Sequence, residues 1–133
     1  MPQLQTITLN DGLSTPVARA FIPVGIENGV AKLAFRDPSN GHLHLDRIIT
    51  LSSKQTGDGG RRVTLKVLLP VVHNGSGSDF TYPDSEDTEI FNCSFKISQL
   101  SDLGEREDLL AFATNLLAST EVQAMVENAE GMW

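Results

Sequence analysis

An α+β domain with an antiparallel sheet is the fold class this sequence predicts, and three observations predict it. Short runs of alternating apolar and polar residues, separated by turn clusters, fill the first two thirds of the chain. From Asp102 onward the apolar spacing changes to three and four residues, the period of an amphipathic helix. Strands that precede helices, rather than alternate with them, belong to an α+β arrangement and not to a parallel sheet. At 133 residues the chain is read as a single domain. Its parts are an N-terminal hairpin (1–27), a sheet (28–99) and helices (100–133) that cover one sheet face.

"LQTITL" (Leu4 to Leu9) and "VARAFI" (Val17 to Ile22) flank the turn cluster "NDGLSTP" and read as a hairpin. Pro23 should end the second strand or confine it to an edge, because proline has no N–H to give a ladder. "GVAKLAF" (Gly29 to Phe35) is a third strand, "RDPSNG" a turn, and "HLHL" (His42 to Leu45) a candidate short strand. "RIITLSSKQTGDGGRRVTLKVLLP" (Arg47 to Pro70) reads as two strands around a glycine-rich turn. "HNGSGSDFTYPDSEDT" (His73 to Thr88) reads as a long polar loop, and "EIFNCSFKIS" (Glu89 to Ser98) as the last strand. In the helical region Leu109, Phe112, Ala113, Leu116 and Leu117 form one stripe, continued by Val122, Met125 and Val126. Asp102 with Glu105, and Thr120 with Gln123, have the spacing of capping boxes, so two helices, or one helix broken near Ser119, are expected.

The charge distribution is uneven. The chain carries −7 overall, yet the Arg47–Pro70 stretch holds Arg47, Lys54, Arg61, Arg62 and Lys66 against Asp58 alone, a local balance of +4. Side chains alternate between the two faces of a strand. Ile49 and Leu51; Val63, Leu65, Val67 and Leu69; and Phe91, Cys93, Phe95 and Ile97 therefore share an apolar face. Thr50, Ser52 and Lys54; Arg62, Thr64 and Lys66; and Asn92, Ser94, Lys96 and Ser98 share the opposite one. The apolar face requires a cover, which the helices can supply. The polar face carries four cations and, within those strands, no acid. A solvated sheet face would show a similar pattern; the functional reading is a polyanion surface, where cations hold phosphate and short hydroxyls and amides meet exposed bases.

Other chemistry has little support. The chain has one cysteine, Cys93, so no intrachain disulfide is available and a reducing compartment is allowed. Its place on the apolar side of a strand suits a small core residue. His42 and His44 share a face but lack a third ligand at a recognisable spacing, and no metal or other cofactor is expected. "GSGSD" (Gly75 to Asp79) lacks the lysine and following helix of a phosphate loop. "DSEDTE" (Asp84 to Glu89) could hold calcium between subunits, although a solvated charged loop reads the same way. No apolar run approaches the roughly 18 residues of a membrane span, so no membrane partner is expected. The chain is not read as an enzyme.

Taken in order, "LQTITL", "ENGVAKL", the hairpin ending "LKVLLP" and the C-terminal "LLASTEVQAMVENAEGMW" resemble the coat proteins of the single-stranded RNA bacteriophages of the levivirus family. The resemblance covers nearly the whole chain. It implies an N-terminal hairpin, a five-stranded antiparallel sheet and two C-terminal helices, in an intertwined dimer. Such dimers build an icosahedral shell with the sheet facing genomic RNA. The implied location is the virion, assembled in the cytoplasm of the bacterial host. A second implied role is repression of replicase translation through an RNA hairpin. Position by position, the resemblance carries RNA contact onto Thr50, Ser52, Lys54, Arg62, Thr64, Lys66 and Asn92. Face-sorting adds Ser94 and Lys96. The chain departs from the family pattern at Ile90, where the best-known members have a base-stacking tyrosine, and at Gly60, which replaces a polar contact. The alternative reading is a stand-alone dimeric RNA-binding regulator.

Overall fold

The computed structural model describes residues 2–36, 46–76 and 81–131, with backbone alone over 72–76 and 81–86. Among these residues six strands precede two helices: β1 (Ile7–Asn10), β2 (Ala18–Glu27), β3 (Val30–Phe35), β4 (Arg47–Gln55), β5 (Arg61–Ser76), β6 (Thr81–Ile97), α1 (Leu103–Leu117) and α2 (Thr120–Asn128). All the strands lie in one antiparallel sheet in chain order. Six strands, rather than a separate hairpin and five, are joined because β2 changes partner along its length. Ala18 to Phe21 pair with β1, and Ile22 to Glu27 pair with β3.

That change of partner explains Pro23. The strand does not stop there; it continues to Glu27 with Pro23 opposite Leu33. Pairing with β1 has ended at Phe21, and the register shifts between Pro23 and Gly25. A residue without an N–H is tolerated at a bulge on a locally open edge. The β2–β3 turn is Asn28-Gly29 with φ of 52° and 77°, the left-handed pair that a two-residue hairpin requires. In the preceding turn, the Asp11 carboxylate accepts the N–H groups of Leu13 and Val17 and pairs with Arg19 at 3.0 Å.

The expected loop over His73 to Thr88 is in large part strand. β5 and β6 stay paired as far as Ser76 opposite Thr81, with one shift between His73 and Asn74. The polar composition of this segment concealed it, because a ladder is made by backbone groups and does not require apolar side chains. Residues 77–80 lie outside the described residues. So does the proposed "HLHL" strand with His42 and His44.

Both helix caps form, one of them displaced. Asp102 accepts the Glu105 N–H at 2.8 Å, and Glu105 accepts the Asp102 N–H at 3.1 Å. This is the expected capping box. At α2 the cap is Ser119 instead of Thr120, with its hydroxyl accepting from Val122 N–H. A bend of 51° separates the two helices.

The core of the single chain is small. Phe21, Leu33 and Ile49 are buried, with Leu4, Ile7, Phe35, Leu51 and Val67 packed against them. It lies on the face that the odd-numbered residues of β3 and β4 share. Phe21 and Phe35 meet at 5.9 Å, and the Arg19 guanidinium lies 5.5 Å from the Phe35 ring. The helices bury none of their own residues: Phe112, Leu116 and Val126 are 71%, 62% and 75% exposed. Within one chain they do not cover the sheet. Arg106, Leu109 and Leu110 bound a groove of about 380 Å³ over Val63, Leu65, Phe95 and Ile97. The accessible surface is 10406 Å², against about 6,800 Å² for a compact monomer of this mass.

Leu33, fully buried, stands between Pro23 and Ile49 in the core row. Truncation removes transfer energy and leaves a cavity, so Leu33→Ala should cost about 2–5 kcal/mol, read as a lowered denaturation midpoint. An unchanged midpoint would place the stability elsewhere.

Candidate nucleic-acid interface

β4, β5 and β6 align without a register shift from Ile48 opposite Leu68 to Arg61 opposite Ile97. Directly opposed residues on antiparallel strands present their side chains to the same face. The nine residues singled out from the sequence therefore form a grid of three rows across three strands. Thr50, Lys66 and Asn92 make one row; Ser52, Thr64 and Ser94 the next; Lys54, Arg62 and Lys96 the third. With strands about 4.8 Å apart and rows about 6.7 Å apart, the grid covers roughly 10 by 13 Å. Thr50 and Thr64 are diagonal neighbours, and Ser52 and Lys66 occupy the other two corners.

The hairpin's excess charge divides between the faces. Lys54, Arg62 and Lys66 belong to the grid, whereas Arg61 donates to Ser53 on the opposite face at 3.1 Å. Arg47 shares the Arg61 side, with its guanidinium 6.0 Å from the Phe35 ring. Cys93, opposite Leu65, is on the apolar face as expected and is half-buried.

Three features of this face were missed in the sequence. Lys32 extends the first row across β3, opposite Thr50, and is exposed. The alternation of "VAKLAF" around buried Leu33 was the signal available for it. Secondly, the face is not polar throughout. Ala34, Ile48, Leu68 and Ile90 form a fourth row, and Ile90 is 59% exposed. Extending each strand's alternation by one step would have found that row. Glu27, opposite Val30, marks the far margin on β2.

The third feature lies in the turn between β4 and β5. Thr56 N–H donates to the Gly60 carbonyl at 2.9 Å, and Gly59 N–H to the Thr56 carbonyl at 3.1 Å. Gly59 has φ 83°, and a Cβ on Gly60 would run into the Ile97 carbonyl. Glycine at position 60 thus lets the turn lie against the end of β6. That placement brings Asp58 to the third row. One carboxylate oxygen accepts the Thr56 hydroxyl and the Gly60 N–H, and the other lies 3.4 Å from Lys96 Nζ. The Thr56 hydrogen bond, then the Gly60 N–H and Lys96, lower the Asp58 pKa from 3.8 to about 2. Among the described residues no group of three metal-ligating side chains occurs. The calcium candidates Asp84 and Glu86 lie where side chains are not described.

The depressed Asp58 pKa fixes a sign. Its contribution to stability is full above pH 3.8 and is lost as pH falls through about 2. Asp58→Asn should therefore lower the melting temperature at pH 6 and lessen the further drop between pH 4 and pH 2. Parallel melting curves against pH for both proteins would refute this.

Comparison with known proteins gives concordant results. A model of the levivirus coat protein family matches residues 2–133. The capsid protein of Pseudomonas phage PRR1 is 25% identical over 133 residues, covering 98% of this chain and 99% of that one. Among solved structures, the virus-like particle of bacteriophage NT-214 has a TM-score of 0.83 at 22% identity, covering 99% of this chain and 100% of that one. The bacteriophage GA protein capsid has a TM-score of 0.76 at 18% identity, with 97% of each chain covered. An unassembled virus coat protein dimer, a bacteriophage RNA-binding dimer, has a TM-score of 0.61 at 18% identity, with 98% of each chain covered.

Proposed function

This chain belongs to the levivirus coat protein family and is a capsid protein, and on that premise we propose that it acts as a dimer whose joined sheets hold single-stranded genomic RNA inside the shell. The observation that carries the RNA reading is the grid. Four cations, the hydroxyls of Thr50, Ser52, Thr64 and Ser94, and the Asn92 amide stand on one face, and Lys32 adds a fifth cation beside Thr50. Cations at that density suit a phosphate backbone, and short hydroxyls and amides suit the edges of unpaired bases.

The dimer reading has separate support. β6 is 17 residues long, and among the described residues no strand pairs with its outer edge. Long open edges are normally avoided. The helix stripe around Phe112 and Leu116 is exposed, and on the apolar sheet face Phe91 is exposed while Val63, Leu65, Phe95 and Ile97 are only half-buried. Two chains joined along β6 would close both edges and let the helices of each chain lie over the sheet of the other. Assembly in the bacterial host cytoplasm is part of the same proposal; it needs no disulfide.

The same face is our candidate for an operator hairpin and for repression of replicase translation. Thr50 and Thr64 offer hydroxyls beside Lys66, and the dimer axis would repeat them. Ile90 has no π-face, so the stacking of about 1–3 kcal/mol per base that an aromatic supplies is missing there. Discrimination between hairpins would then rest on the hydroxyls and on the shape of the apolar row.

Leu116→Asp, which puts charge into the exposed stripe, should abolish dimers and particles together. Sedimentation and electron microscopy would read both. A folded, monomeric natural protein at micromolar concentration would contradict the dimer.

RNA affinity should fall steeply with salt. Ten cations per dimer set a limit of about −7 on the log–log slope for single strands. Arg62→Ala and Lys66→Ala should each weaken binding to every RNA tested and flatten the slope by about 1.4. Unchanged slopes in both would place the RNA on another surface.

A further inference from the structure

We infer that Asp58 sets the RNA affinity of this face: its carboxylate occupies the Lys96 ammonium and competes with RNA phosphate for it. The inference rests on the proposed RNA reading of the grid and assigns a role to a residue outside it.

An isolated surface ion pair would not carry this argument, since most such pairs contribute little. Asp58 differs because its position is built. Its first oxygen is held by the Thr56 hydroxyl and the Gly60 N–H, within a turn closed by two backbone hydrogen bonds. The two glycines permit that turn to approach β6: Gly59 takes a left-handed conformation, and Gly60 lies against the Ile97 carbonyl. The second oxygen is left to face Lys96 at 3.4 Å. Both side chains remain open to solvent, at 59% for Lys96 and 58% for Asp58. A phosphate can therefore reach the ammonium, and must displace a fixed anion to do so. The low Asp58 pKa means the competitor is ionised under all ordinary conditions.

Lys96 stands opposite Arg62, which stands opposite Lys54. Among the described residues the row thus has two cations, Lys54 and Arg62, without an acid in ion-pair contact, and a third already engaged. The effect is local to the turn end, which separates it from a change in net charge elsewhere. A coat protein benefits from such attenuation, because a shell subunit that binds every RNA tightly loses selectivity between its own genome and other transcripts.

The test is a double-mutant cycle on the intact dimer, with a single-stranded RNA of mixed sequence, titrated at several salt concentrations. Asp58→Asn keeps an oxygen acceptor for Thr56 and Gly60, and Asp58→Ser is a second variant with a short acceptor. Either should tighten binding several-fold at low salt and steepen the log–log slope by about 1.4 per dimer, 0.7 for each Lys96 released. Lys96→Ala should weaken binding less in the natural protein than in the Asp58→Asn background, where it removes the whole gain. Equal effects of Lys96→Ala in both backgrounds would overturn the inference. So would a gain from Asp58→Asn that persists without Lys96, since Asp58 would then act only through the overall field. Arg62→Ala separates the two levels. If it and Lys66→Ala both leave affinity and slope unchanged, the RNA reading of the face fails and this inference with it. If it weakens binding while Asp58→Asn does not strengthen it, only the inference fails.

Discussion

From Ile48 opposite Leu68 to Arg61 opposite Ile97, the three strands β4, β5 and β6 pair without a slip, and the composition of both sheet faces depends on that registry. A shift of one residue in any strand would exchange its faces. It would send Arg62 and Lys66 to the apolar side and Val63 and Leu65 to the polar one. The registry is secured at the other end of the sheet. Leu33 and Ile49 are opposed and buried with Phe21, and a one-residue slip between β3 and β4 would send one of them to the other face. The chemical face is therefore specified by apolar packing on its reverse.

Turn chemistry refines what the registry begins. Asn28-Gly29 closes β2 on β3 in two residues, and the bulge after Pro23 absorbs the change of partner along β2. The Thr56–Gly60 turn does more than reverse the chain. Because its glycines let it lie against β6, an acid that follows β4 in sequence reaches a lysine near the end of β6. Electrostatics of the face are thus decided partly by backbone permissiveness at two positions without side chains.

The single chain is an incomplete object. Its buried core contains Phe21, Leu33 and Ile49, while the helices that the sequence makes amphipathic turn their apolar stripes to solvent. An accessible surface of 10406 Å² is that of a subunit, not of a finished globule. Membership of a coat protein family accounts for this, because a shell subunit contributes its apolar faces to assembly. The capping box of α1 gives the helices local definition ahead of any partner.

The strand segments of the sheet's centre, the helix positions, the two faces and the nine residues that share the polar one were legible in the sequence, because a period of two and a period of 3.6 are written directly into side-chain order. Lys32 and the row ending at Ile90 were equally legible in principle and were missed because the alternation was not followed to the strand ends. Other features were not legible in that way. The length of the β5–β6 ribbon depends on backbone hydrogen bonds, which polar residues make as readily as apolar ones. The shift of the α2 cap to Ser119 depends on which of two adjacent hydroxyls meets the Val122 N–H. The sequence by itself determined which side chains share a face. Only the tertiary structure decided which of them are opposed across strands, that Asp58 meets Lys96, and that the helices leave their own sheet uncovered. Those are distances between residues far apart in the chain, and no local period encodes them.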